Sequence, residues 1–245
     1  MLTIDIGNSG VKWGIWQEDQ LILADDGRYE KESLHATFDE IFSGAPRQDT
    51  VWVSCVAGHD VEQALIDWTN KEWSIEPIFL RTASEFGGVS NIYPLPEEHG
   101  ADRWAALLGA KKLYDVPVCI LDVGTAVTVD LMDVGGVHRG GRIMPGLDMM
   151  RNSLLQNTAG VQEVEGDCPG FAINTADAVT SGTVHMLQAG LLEVCESAKE
   201  RLGDEMRVIL TGGTAEKMLP LLEQIEGILH EPHLVLYGLY YASEQ

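Results

Sequence analysis

The chain is poor in positive charge. Its 245 residues hold 16 Lys and Arg against 38 Asp and Glu, a formal net charge of −22. Nucleic-acid binding needs clustered basic residues to neutralise phosphates, so a nucleic-acid partner is excluded. Long apolar runs are also missing. No stretch approaches the ~18 residues of a membrane span, and no membrane partner is expected. Asp5 follows almost directly on Met1, which leaves no room there for a signal-peptide h-region, and a cytoplasmic location is expected. Cysteine is scarce: Cys55, Cys119, Cys168 and Cys195 lie far apart without a CxxC pair, and Cys119 in VCILDV reads as a small buried hydrophobe. All four are expected to be structural and reduced. The histidines show no HExxH or related spacing, the closest pair being His230 and His233 across Pro232, so the sequence offers no transition-metal motif. Neither GxxxxGK[ST] nor GxGxxG occurs, so the fingerprints of P-loop and Rossmann nucleotide binding are absent.

What is present is a globular composition, 45% hydrophobic and 22% charged, in a length that suits one large domain or two smaller ones. The first residues read as strand, small-residue turn and strand: Leu2–Asp5, Gly7–Gly10 and Val11–Trp16, with Leu21–Leu23 extending the meander. The same design returns at Val118–Asp122, Gly124-Thr125 and Ala126–Met132, with a partner strand from Val137 to Met144. Asp5-Ile6-Gly7-Asn8 thus aligns with Asp122-Val123-Gly124-Thr125 nearly half the chain later. That period is too long for a solenoid and fits a duplicated domain. The expected boundary gives lobes of 1–115 and 116–245.

The remainder fits two α/β lobes. Val51–Val56 and Ile78–Leu80 read as strands, with a helix over about Asp60–Lys71 between them. Residues 84–99 hold two Gly and two Pro without periodicity and are expected to be a loop at a functional or inter-lobe edge. Helices are expected over Ala101–Tyr114, Leu147–Gln156 and Ala176–Arg201, and a strand over Arg207–Thr211 leads into Gly212-Gly213 and a helix from about Thr214. Val179, Thr183, Met186, Leu187, Leu191 and Val194 share one face of the longest helix, a stripe expected to meet core or a second subunit.

Two constellations carry chemistry. An Asp at a strand end beside a Gly-rich turn suits nucleotide phosphates held with Mg²⁺: backbone N–H groups of Gly7 to Gly10 approach phosphate closely, Asn8 and Ser9 add donors, Lys12 adds charge and Asp5 holds Mg²⁺ through water. A plain hairpin with a turn-capping Asp would look the same in one copy; two copies favour the phosphate site. Gly212-Gly213 reads equally as room for an adenine or as a simple strand-to-helix turn. In Gly100-Ala101-Asp102-Arg103, Asp102 opens a helix, where the macrodipole alone accommodates it. The functional alternative makes Asp102 a general base for a substrate hydroxyl and Arg103 the holder of an anionic group.

Taken together, Asp5–Ser9, Gly100–Arg103, Asp122–Ala126, Gly141–Gly146, Asn174-Thr175 and Thr211–Gly213 resemble, in order and over essentially the whole chain, the motifs of type III pantothenate kinase. The resemblance implies an α/β, actin-like ATPase fold: two duplicated ribonuclease-H-like lobes with nucleotide between them. It implies ATP-dependent phosphorylation of pantothenate, the first committed step of coenzyme A synthesis. By position, Asp5, Ile6, Gly7, Asn8, Ser9, Gly10, Val11 and Lys12 match the ATP phosphate loop and Thr125 a second ATP contact. Asp102 matches the proton acceptor. Tyr93, Gly100, Ala101, Arg103 and Thr175 match pantothenate contacts, Thr175 across a homodimer interface, and Asp122 matches a monovalent-cation ligand for K⁺ or NH₄⁺. Without the resemblance, Tyr93 would read as a loop aromatic covering the core edge. Ser9 stands where many members carry Thr, which keeps the hydroxyl, and Ala172 stands where many carry Gly. The rival readings are another actin-like small-molecule kinase, sharing the phosphate loops but not the Gly100–Arg103 segment, and a catalytically silent regulatory relative.

Overall fold

Short apolar runs separated by turns too tight for a helix fold here as ladders, and they do so twice. The computed structural model describes residues 1–30, 33–162 and 165–245. β1 (Leu2–Ile6), β2 (Val11–Gln17) and β3 (Gln20–Gly27) form an antiparallel meander. The chain then passes through α1 (Leu34–Ile41) into β4 (Val51–Cys55), which pairs parallel to β1, and through α2 (His59–Trp73) into β5 (Ile78–Phe79). The resulting sheet has the order β3-β2-β1-β4-β5. β1 is its centre, and Leu2, Ile4 and Ile6 are fully buried there, facing a core that includes Val53, Leu65 and Trp68.

Residues 84–99, expected to be a loop, contain a two-stranded hairpin of β6 (Glu85–Phe86) and β7 (Val89–Ser90) before α3 (Ala101–Leu113). The strands are two residues long, below the length at which alternation is visible in a sequence. The second half repeats the first: β8 (Val118–Val123), β9 (Ala126–Met132) and β10 (His138–Pro145), then α4 (Leu147–Asn157) and α5 (Thr175–Leu202), β11 (Arg207–Thr211), α6 (Ala215–Met218), β12 (Leu229–His230) and α7 (Leu234–Ser243). Its sheet runs β10-β9-β8-β11-β12, the order of the first sheet with each strand replaced by its counterpart. The two aspartates even share a position, each next to last in the central strand, Asp5 in β1 and Asp122 in β8.

The chain divides into one unit of 1–115, 135–138 and 233–245 and another of 116–134 and 139–232. The division differs from the expected 1–115 and 116–245 chiefly in α7, which packs on α3, β1 and β4 of the first unit. Two glycines make this docking possible. A Cβ at Gly238 would fall on the Ala105 carbonyl, and one at Gly109 on the Leu234 carbonyl, so the helix backbones touch directly. Gly238→Val forces these backbones apart and is expected to cost ~3 kcal/mol or more, read as a lower urea midpoint.

Other differences are local. Of the α5 stripe expected to meet core or a second subunit, Val179, Thr183, Leu187, Leu191 and Val194 are buried in the core of the chain, while Met186 is 58% exposed. The helix after Gly213 is only four residues long. All four cysteines are free thiols, but Cys168 is exposed rather than buried. Burial pushes the Cys55 thiol up to about 11, which keeps it protonated at neutral pH. Among the described residues no helix is long and apolar enough to cross a membrane.

Candidate active site

In the first unit, a tight turn joins β1 to β2. The Gly7 N–H closes it by donating to the Gly10 carbonyl at 3.0 Å. One expectation is narrowed: the Gly7 N–H is spent within the turn, while Asn8 and Ser9 are exposed at its tip. The Tyr29 hydroxyl, just beyond β3, donates to the Gly7 carbonyl at 2.7 Å and braces the turn, a support that no sequence pattern reveals. Asp5 is half-buried and faces Lys12 directly across the β1–β2 ladder. Side chains of directly opposed residues share a face, so Lys12 supplies positive charge on the Asp5 side of the sheet.

The acceptor-side segment lies at the same end of this sheet. β4 runs parallel to β1, and Val56, just beyond β4, donates its N–H to the Ile6 carbonyl. A Cβ built on Gly100 would lie 3.7 Å from the Val56 Cγ1 and only 2.6 Å from the Asp102 Oδ1. Glycine at position 100 therefore makes room for the Asp102 carboxylate to fold back over the start of α3. There the Arg103 N–H donates to Asp102 Oδ1 at 2.7 Å, and the Gly100 carbonyl takes the first helical bond from Trp104 N–H. The carboxylate sits beyond the carboxyl ends of parallel strands, where open α/β sheets bind ligands. Arg103 is 6% exposed; its Nη1 donates to the Tyr93 hydroxyl at 3.1 Å, and its guanidinium carbon lies 5.7 Å from the Tyr93 ring centre. Tyr93, Gly100, Ala101, Asp102 and Arg103 are thus gathered in one place.

The second unit carries the matching turn. The Gly124 N–H donates to the Ala126 carbonyl at 3.0 Å, Thr125 is exposed at the tip, and Asp122 is half-buried behind it. The residue opposite Asp122 is the neutral Thr128, where Asp5 has Lys12. Gly212, with φ +97°, brings the end of β11 against this turn; a side chain there would strike the Val123 carbonyl and the Asp122 carboxylate, and Thr214 donates its N–H to the same Val123 carbonyl at 2.9 Å. Glycine is required both by the left-handed φ and by the approach. Gly212-Gly213 forms the turn from β11 into α6.

Thr175 lies on another element of the second unit. It opens α5, after an N-cap in which the Asn174 side chain accepts from Asp177 N–H at 2.9 Å, and it lines an open groove of about 740 Å³ with Leu154, Ala172, Ile173 and Met186. Phe171 and Ile173 beside it are fully exposed. Asp5 and Asp122 offer hard oxygen donors without sulfur or imidazole beside them in their turns, a set that fits Mg²⁺ or an alkali cation rather than a soft metal.

A duplicated sheet of this order, with an acidic strand end and a glycine turn in each copy, defines the actin-like ATPase fold, and solved structures agree. A Campylobacter jejuni protein described as a Baf family transcriptional activator superposes with a TM-score of 0.61 at 18% identity, covering 100% of this chain and 98% of that one. The activator of the 2-hydroxyisocaproyl-CoA dehydratase from Clostridium difficile, solved with bound ADPNP, gives 0.54 at 15% identity, covering 99% and 94%. The family is narrower. The model of type III pantothenate kinase matches residues 1–197, and a type III pantothenate kinase of Azoarcus sp. (strain BH72) is 36% identical over 239 residues, 98% of this chain and 89% of that protein. The chain belongs to the type III pantothenate kinase family.

Proposed function

We propose that this chain transfers the γ-phosphoryl group of ATP to the primary hydroxyl of pantothenate, the entry to coenzyme A synthesis, with Asp102 as proton acceptor. The observation that carries the reading is the Gly100–Arg103 segment. It holds the Asp102 carboxylate against the start of α3, and the next residue, Arg103, carries a nearly buried guanidinium bonded to the Tyr93 hydroxyl. Pantothenate offers the complementary pair, a hydroxyl to be deprotonated and a carboxylate to be held. A guanidinium is planar and can hold a carboxylate through two parallel N–H bonds, which makes Arg103 the proposed partner of the substrate carboxylate. Phosphoryl transfer asks the protein mainly for positioning and charge stabilisation, and the hydroxyl proton needs a base within about 2.6–3.2 Å.

Asn8, Ser9, Lys12 and Thr125 are the proposed phosphate contacts, and Asp5 the proposed holder of Mg²⁺ through water. Asp122, opposite a neutral threonine, is the proposed ligand of a monovalent cation. Bound cations offset the repulsion between ATP and a chain of net charge −22. The exposed apolar groove beside Thr175 is proposed to receive a second copy of the chain, making a homodimer in which Thr175 serves the partner's acceptor site. Such an enzyme works on cytoplasmic substrates, and a cytoplasmic location follows from the same reading.

The test is ADP release with ATP, Mg²⁺ and a panel of small hydroxy acids. Pantothenate should stimulate release well above every other acceptor, and K⁺ or NH₄⁺ should be required. Equal stimulation by unrelated hydroxy acids points to a different actin-like kinase, no stimulation to a silent regulatory relative, and equal rates in Na⁺ alone remove Asp122 from the cation site.

A further inference from the structure

Behind Tyr93 lies a cluster that the reaction as described does not use. The rings of Tyr93, His99 and His138 stack nearly parallel: His99 on His138 with centres 4.7 Å apart at 9°, Tyr93 on His99 at 4.8 Å and 18°, and Tyr93 on His138 at 5.7 Å and 23°. His99 and His138 are 1% and 0% exposed. The three rings come from two separate stretches of the first unit, Tyr93 and His99 from one and His138 from the other. His138 is held in reach because the Ser90 N–H donates to the Gly136 carbonyl at 3.0 Å and Ser90 bridges Val137 in parallel register. Asn91 joins the set: its Oδ1 accepts the Tyr93 N–H at 3.0 Å and lies 3.4 Å from His138 Nδ1.

We propose that His99 and His138, with Asn91, are positioning residues for the pantothenate subsite, setting its affinity by fixing Tyr93 against Arg103. The argument is one of order. Tyr93 sits on an irregular segment ahead of Pro94 and Pro96, and nothing in that local sequence fixes its ring. The stack ties the ring to His99, whose next residue is Gly100, and hence to the helix start that bears Asp102 and Arg103. Thr82 reinforces this anchor, its hydroxyl donating to the His99 carbonyl at 2.7 Å. Asn91 Oδ1 meanwhile holds the Tyr93 backbone and the His138 imidazole at one atom. Neither histidine is assigned to touch a reacting group, so their effect passes through Tyr93 and Arg103. The inference rests on the acceptor reading of that segment.

The experiment is steady-state kinetics on the full chain with each substrate varied. His99→Ala and His138→Ala should each raise the pantothenate KM about tenfold, the scale of one aromatic pair, with kcat and the ATP KM within about threefold of wild type. His99→Phe should restore the KM, because it keeps the stack. His138→Phe keeps the stack without the Asn91 contact and should lie between. An unchanged pantothenate KM in both alanine variants overturns the inference, as does a parallel loss of kcat and of both KM values with failure of His99→Phe to rescue. Where an alanine variant does not fold, the phenylalanine variants and His138→Gln decide: His138→Gln, lacking the ring, should show the raised pantothenate KM, and a wild-type value there overturns the role of the stack. If the wild type leaves pantothenate untouched, the substrate reading has failed instead, and the same split with the acceptor it does phosphorylate still decides the role of the rings.

Discussion

Replacing Asp102 with Asn is expected to lower pantothenate-dependent ADP release by about 10³-fold, within the range that a positioned acid or base supplies, while nucleotide binding stays near wild type. The substitution is nearly isosteric. Asn Oδ1 can still accept the Arg103 N–H now bonded at 2.7 Å, and the space that Gly100 leaves is unaltered, so the helix start should keep its geometry. The substitution removes the negative charge and, with it, the capacity to take a proton. The measurement pairs a coupled ADP assay with direct titration of an ATP analogue. Turnover within severalfold of wild type would leave Asp102 as a helix-start residue favoured by the macrodipole and nothing more.

Phe171→Asp combined with Ile173→Asp is expected to break the proposed homodimer into a 26.8 kDa monomer and to reduce kcat/KM for pantothenate by about 10²-fold, the scale of a misplaced substrate contact. Both side chains are fully exposed, with Met186 and Leu154 exposed nearby, and Thr175 is two residues beyond Ile173. Apolar patches of this kind on a water-facing surface mark contact sites. A charge at the centre of such a contact costs far more than one on its rim. Sedimentation velocity reads the mass, and Thr175→Ala reads the substrate contact separately: it should lower kcat/KM while leaving the dimer intact. A double variant with wild-type mass and activity would remove both the interface and the role of Thr175.

The repeat was legible because the two copies keep the same short string, Asp-(Ile or Val)-Gly-(Asn or Thr), in the same strand–turn–strand frame, and strand order follows from that frame. The acceptor segment was legible as residue types but not as geometry. That Gly100 exists to clear the Asp102 carboxylate appears only once the backbone is folded. Three kinds of feature stayed out of reach. The docking of α7 on the first unit depends on Gly109 and Gly238 meeting across two helices far apart in the chain. The bracing of Gly7 by Tyr29 and the stack of Tyr93, His99 and His138 likewise join residues with no common period. Spacing fixes the face of a helix but not what covers it: the stripe of α5 is core at Val179, Thr183, Leu187, Leu191 and Val194, whereas Met186 lines the open groove beside Thr175.

The central claim is that this chain moves one phosphoryl group onto the pantothenate hydroxyl under the control of Asp102. Mass spectrometry of pantothenate recovered after incubation with the wild-type chain, ATP, Mg²⁺ and K⁺ tests it most directly. The account predicts a product heavier by one phosphoryl group, formed in step with ADP and absent with Asp102→Asn. Pantothenate recovered unchanged while ATP is consumed, or a phosphorylated product formed equally by Asp102→Asn, would contradict it.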